Sequence, residues 1–229
     1  MNSFSAVSAT KAETKRELAK AKTRRALLKS ALQIYSLEGA CRMSMNKIAK
    51  GANIAQPSFY NHFDSLETLQ NELSRQLKNN YLSPMRMAWV NMLKDYAALS
   101  KEAFHQRCEE CLTLIFDAAF QNIALFQRLI EDSLRVNSQT EPNGLVSLMT
   151  EIREEWTKIF IQGLEASDNN FSRSEVNLCV DMASAQVHEL ILGCHQGRYS
   201  RQQAIKILCT NLDGIFGSFF NDNEQAISS

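Results

Sequence analysis

The chain has 229 residues, 45% of them hydrophobic, with only 8 glycines and 3 prolines. That length and apolar content suit one or two globular domains, and the scarcity of breakers argues against a hairpin-rich β architecture and for an all-α one. Net charge is zero, but residues 1–63 hold 11 Lys and Arg against 3 Asp and Glu, a balance of +8 that the remainder cancels. A basic head on an acidic body points to a polyanion partner for the head, the alternative being a solvated charged tail.

No segment reaches the roughly 18 uninterrupted apolar residues of a membrane span. The first twenty residues lack the apolar middle of a secretory signal, so a cytoplasmic protein without membrane association is expected. The six cysteines lie scattered in apolar stretches and read as small buried hydrophobes.

Residues 1–20, with Lys11, Lys15, Arg16 and Lys20, read as a flexible basic arm. A first helix follows over 21–38, where Ala26, Leu27, Ala31, Ile34 and Tyr35 recur at helical spacing, and Gly39 ends it. Ser44 is placed to cap a short second helix, Asn53 to adopt the left-handed conformation of a tight turn, and Pro57 to open a third helix over 56–63. Asp64 or Ser65 caps a fourth, striped by Leu66, Leu69, Leu73 and Leu77. Further amphipathic helices are expected over 85–97, 101–119, 122–136, 143–166, 173–196 and 200–220, with breaks at 137–144 and 167–170.

Positions 45–63 fit a helix-turn-helix: small Ala49 at the crossing, Asn53 at the turn, and Ile54 and Phe59 packing the second helix on the first. Such a unit lets its second helix enter the major groove. The run SMNKIAKGANIAQPSFYNHFDSLETL closely resembles the DNA-binding domain of TetR-family repressors, with Ile48, Ala49, Ala52, Ile54, Tyr60, His62, Phe63, Glu67 and Leu69 matching in kind and order. It departs from that pattern at Asn53 in place of the turn glycine, Ala55 in place of the capping Ser, Gln56-Pro57-Ser58 in place of x-Gly-Thr, and Leu66 where a phosphate-binding Lys is common. Within the family, IAQPSFYNHF and, more weakly, NIALFQRLIEDS are similar to repressors of unsaturated fatty acid synthesis.

The resemblance implies a dimeric repressor: an N-terminal three-helix DNA-binding domain over 21–64, and a helical ligand-binding and dimerisation domain over 65–229. Gln56, Ser58 and Asn61 are candidates to read base edges, since Gln and Asn pair with adenine and Ser with several bases, with Pro57 beside them on that helix. Tyr60 and His62 are expected, by resemblance, to contact phosphates, with Lys22, Thr23, Arg24, Ser44 and Lys47 adding backbone contacts.

The stripe Val180, Ala183, Val187 and Ile191, with Leu208, Leu212 and Phe216, forms the dimer bundle that the family implies, or else packs within its own subunit. Met85, Met87, Trp89, Met92, Phe104, Phe116, Phe120, Phe126 and Met149 are an adaptable apolar lining or ordinary core. Arg86, Arg107 and Arg128 are candidates for the acidic head of a small-molecule effector, for which the resemblance suggests a fatty acid or acyl-CoA.

His105, Cys108 and Cys111 share a helix face but find no evident fourth ligand, so no metal or other cofactor is expected. Nucleophile-elbow and phosphate-cradling motifs are absent, which weighs against an enzyme. The competing readings are a helical interaction module that binds no nucleic acid, and a helical enzyme using His and Cys.

Overall fold

The computed structural model describes residues 4–93, 99–134, 145, 147–165 and 172–220. Among them the chain is all-α, with no strand. The helices are α1 Phe4–Glu38, α2 Met45–Gly51, α3 Gln56–Phe59, α4 Leu66–Leu77, α5 Ser83–Leu93, α6 Lys101–Gln121, α7 Ile123–Leu134, α8 Leu148–Glu165, α9 Arg173–His195 and α10 Arg201–Phe220, with a 3-10 turn at Ala40–Arg42 and a π-helical turn at Lys78–Leu82. Two compact units result, residues 1–76 with 136–146, and residues 77–135 with 147–229. The first reaches past the division at 64–65 expected from the sequence. The expected breaks at 137–144 and 167–170 lie outside the described residues.

The sequence placed a flexible arm over residues 1–20, but α1 starts at Phe4. The physical reason lies in the composition: from Phe4 to Glu38 there is neither Gly nor Pro, and Ala6, Ala9, Ala12, Ala19 and Ala21 are strong helix formers. The α1 helix ends where Gly39 takes φ 84°, a left-handed conformation that glycine adopts without strain.

In the first unit, Leu27, Ala31 and Tyr35 of α1, Ile48 and Ala49 of α2, Phe59 of α3, Phe63 beyond it, and Leu69 and Leu73 of α4 form one buried core. The α1–α2 contact is fixed by the Ser30 hydroxyl, which donates to the Ile48 carbonyl at 2.9 Å. Gly51 permits that approach, because a Cβ there would lie 2.3 Å from Ser30 Oγ.

In the second unit, α6 packs against α5, α7, α9 and α10, while α8 packs against α5, α7 and α9. Helix starts are capped where the sequence has serine. Ser100 accepts from the Ala103 amide at 3.2 Å, and Ser172 and Glu175 form a reciprocal capping box. No helix among the described residues is long and apolar enough to cross a membrane.

Candidate nucleic-acid interface and interior cavity

The second helix of the N-terminal unit starts at Ser44, whose hydroxyl accepts from the Lys47 amide at 3.3 Å. Asn53 has φ 58° and turns the chain, while the Ile54 amide returns to the Ala49 carbonyl at 3.0 Å. Asn reaches this conformation more readily than most residues, which explains its standing in for glycine. Ala55 precedes α3 without a side-chain cap, and Pro57 sits in the first turn, where its missing N–H costs nothing.

Regular α-helix covers only Gln56–Phe59, shorter than the 56–63 expected. The turn that follows keeps helical bonding, since the His62 and Phe63 amides both donate to the Phe59 carbonyl at 2.9 and 3.0 Å. Phe59 and Phe63 are fully buried and tilt together with ring centroids 5.8 Å apart. Opposite them, Gln56, Pro57, Tyr60 and Asn61 are exposed, Tyr60 by 51%, with Ser58 and His62 half-buried at the margin.

Arg24 holds this turn from α1. Its guanidinium stands 4.0 Å over the Phe63 ring, donates to the His62 carbonyl, and lies 3.9 Å from the Glu72 carboxylate on α4. A hydrogen bond from Arg75, more than any other influence, keeps the Glu72 carboxyl below the ordinary carboxylate range. Burial, reinforced by Lys20 and Arg24, lowers the His62 imidazole from its ordinary value. His62 is therefore an uncharged ring at neutral pH, able to offer one N–H but no charge.

The C-terminal unit holds a partly open cavity of about 80 Å³ walled by Met85, Ile115, Phe126, Met149, Ile152 and Trp156 among others. Among the described residues, Asn122 and His188 are the polar ones on its wall. A second recess shares Ile152 and Trp156 with it and is edged by Lys78, Ser83, Arg86, Glu151 and Glu155.

Residues 27–73 match the family model described as "Bacterial regulatory proteins, tetR family". These residues resemble that family's N-terminal domain. Solved structures share the fold of the wider chain. A TetR family transcription regulator from Marinobacter aquaeolei is 12% identical with a TM-score of 0.58, over 85% of this chain and 95% of that one. A tetR-family transcriptional regulator from Streptomyces coelicolor is 17% identical with a TM-score of 0.56, over 90% and 85%. A Clostridium perfringens protein described as a fatty acid metabolism regulator is 15% identical with a TM-score of 0.60, over 81% and 95%. No curated protein matches the sequence. The architecture is thus a helix-turn-helix unit similar to that family's domain, followed by a larger helical unit, the fold these solved structures share.

Within the N-terminal unit, the sequence-expected residues divide into exposed and engaged groups. Lys22, Gln56, Pro57, Tyr60 and Asn61 are exposed, whereas the Thr23 hydroxyl donates back to the Ala19 carbonyl at 3.1 Å. Lys47 pairs with Glu38, Ser44 caps α2, and Arg24 is committed to the turn after α3. The Arg24 interactions were invisible in the sequence, since nothing local links residue 24 to residues 62, 63 and 72.

The dimer expectation needs correction. Val180, Ala183, Val187, Ile191, Leu208 and Leu212 are each at most 3% exposed in the single chain, so they pack inside it. The side chain of Phe216 lies outside the described residues. The cause is that α9 is flanked by α6, α7, α8 and α10, which take up this stripe. The outward apolar residues are instead Leu178 and Met182 on α9 and Ile207 on α10, beside a bond from the Asn211 amide to Gln186 at 3.2 Å.

Of the residues expected to line a ligand site, only Met85, Phe126 and Met149 are on the cavity wall. Trp89 packs on Trp156 at 5.1 Å and Phe104 and Phe116 are core, while Phe120 is 40% exposed. Arg86 pairs with Glu155 at 2.7 Å, Arg128 with Glu131 at 2.9 Å, and Arg107 donates to the Asn91 carbonyl at 3.0 Å. None of these seven residues is on the cavity wall. His105 lies 3.5 Å from Asp213, and burial drives the Cys111 thiol up to about 12. Among the described residues no three His, Cys, Asp or Glu side chains converge as metal ligands.

Proposed function

We propose that this protein is a homodimeric, sequence-specific DNA-binding transcriptional repressor whose operator affinity is set by a small apolar molecule held in the C-terminal unit. The observation that carries the reading is the division of the α3 turn: Phe59 and Phe63 anchor it, leaving Gln56, Tyr60 and Asn61 free on the opposite side. A turn anchored by two aromatics and backed by α1 suits entry into a major groove, where Gln56, Ser58 and Asn61 read base edges. Tyr60 and the neutral His62 donate hydrogen bonds to phosphates, and exposed Lys22 supplies charge.

The dimer forms through the outward faces of α9 and α10 around Leu178, Met182 and Ile207. Two-fold symmetry then presents two α3 turns to a palindrome. The effector acts by differential affinity for the DNA-competent and DNA-incompetent arrangements.

Selection from a random duplex library by the purified full chain tests this. An enriched palindrome, lost in Tyr60→Ala and in Asn61→Ala, is the expected result. No enrichment at moderate salt, with or without added apolar ligands, rejects the reading.

A further inference from the structure

The chemistry of the interior cavity restricts what it can hold. Among the described residues its wall contains no Lys, Arg, Asp or Glu. Of the polar residues described on it, Asn122 already uses its side-chain oxygen, which accepts from the Leu125 amide at 3.2 Å as the cap of α7. His188 on α9 meets the Phe126 ring edge-on at 5.6 Å, and no described residue hydrogen-bonds to its imidazole. Burial pushes that imidazole down to about 4, so at neutral pH it is an uncharged ring with one donor and one acceptor.

The adjoining recess does not change this balance. Its two cations are matched by two carboxylates, Lys78 by Glu151 and Arg86 by Glu155. An anion entering the cavity would shed its water and meet no unpaired cation, whereas a hydrocarbon chain would gain apolar contact along the whole wall.

Resting on the reading of the C-terminal unit as the effector domain, we propose that this cavity binds an uncharged, mainly hydrocarbon molecule whose single carbonyl or hydroxyl group hydrogen-bonds to His188. The free carboxylate of the same chain length is rejected. The fatty acid that the sequence resemblance suggested is therefore disfavoured in its ionised form, and its neutral derivatives are favoured.

The chain has two tryptophans, and Trp156 is on the cavity wall with Trp89 tilted against it at 5.1 Å, so intrinsic fluorescence reports occupancy directly. The experiment titrates the full chain, without DNA and at neutral pH, with methyl octanoate, octan-1-ol and octanoate. The ester and the alcohol are expected to saturate the signal, with octanoate at least about tenfold weaker. His188→Leu should weaken the alcohol by about five- to tenfold. Ala119→Leu, which fills the wall, should abolish saturation by all three, circular dichroism confirming that both variants fold. Should His188→Leu not fold, His188→Phe replaces it.

Octanoate binding as tightly as its ester overturns the proposal, as does an unchanged affinity in the folded His188 variant or no saturation by any ligand. Because the readout needs no DNA, these failures are distinguishable from a failed palindrome selection.

Discussion

Replacing Arg24 by Lys separates two roles that the sequence could not. Lysine keeps the positive charge but lacks the planar fork that covers Phe63 and bonds the His62 carbonyl. The charge-assisted bond contributes about 1.5 kcal/mol in a half-exposed setting, and the cation–π contact about 0.5 kcal/mol. The Glu72 pair at 3.9 Å, with the Arg24 side chain 39% exposed, adds little. Losing roughly 2 kcal/mol from a unit of this size lowers its melting temperature by about 10 °C. Thermal melting by circular dichroism measures that shift, and hydrogen exchange at the His62 and Phe63 amides localises it. Salt-dependent DNA titration completes the test. Arg24→Lys should weaken binding at every salt concentration without changing the slope of log K against log salt, because no phosphate contact is lost. If Arg24→Lys melts with the parent, and Arg24→Met lowers the salt slope by about one, the residue contacts phosphate and the clamp argument is wrong.

Met182→Glu and Ile207→Glu should yield folded monomers by sedimentation, whereas Leu212→Ala should cost about 2–4 kcal/mol in stability; a dimer persisting in both Glu variants places the interface elsewhere. Acidification should destabilise the protein through His188. The unfolded ring titrates near its ordinary value of 6.5 and the folded one at about 4, so stability present above pH 6.5 drains away as pH falls toward 4. The loss is roughly 2–3 kcal/mol, and a folded His188→Leu chain should show a flatter stability–pH curve in urea titrations. Gly51→Ala should fail to stabilise despite the roughly 1 kcal/mol gain in helix propensity, because the new methyl displaces the Ser30 hydroxyl. In a Ser30→Ala background the same change should become stabilising, and a double-mutant cycle by thermal melting reads the coupling.

The helix-turn-helix was legible because its signals are local: a serine before α2, an asparagine at the turn, a proline opening α3, and aromatics at helical spacing. Helices α6 to α10 were legible for the same reason, with the caps at Ser100 and Ser172 sharpening their starts. What the sequence left open was direction. A helix enclosed on several sides carries more than one apolar stripe, so spacing left Val180 and Ile191 as either the interface the resemblance implies or internal packing, and neighbouring helices bury them. The cavity failed similarly: Trp89 and Phe116 have the composition of a lining, but which ring fills the core and which borders a void depends on how α5, α6, α8 and α9 pack. The basic charge of the N-terminal arm conceals its helix, which follows from the absence of Gly and Pro between Phe4 and Glu38.

The α3 turn owes most of its order to Phe59, Phe63, Arg24 and Pro57, and little to Gln56, Ser58 and Asn61. Anchoring and presentation thus belong to different residues. Substitutions at Gln56, Ser58 and Asn61 can accumulate without eroding the scaffold beneath them, so the surface is open to gradual drift in what it recognises. For the same reason, grafting a new trio of side chains at these positions is a practical route to redirecting the protein to another target.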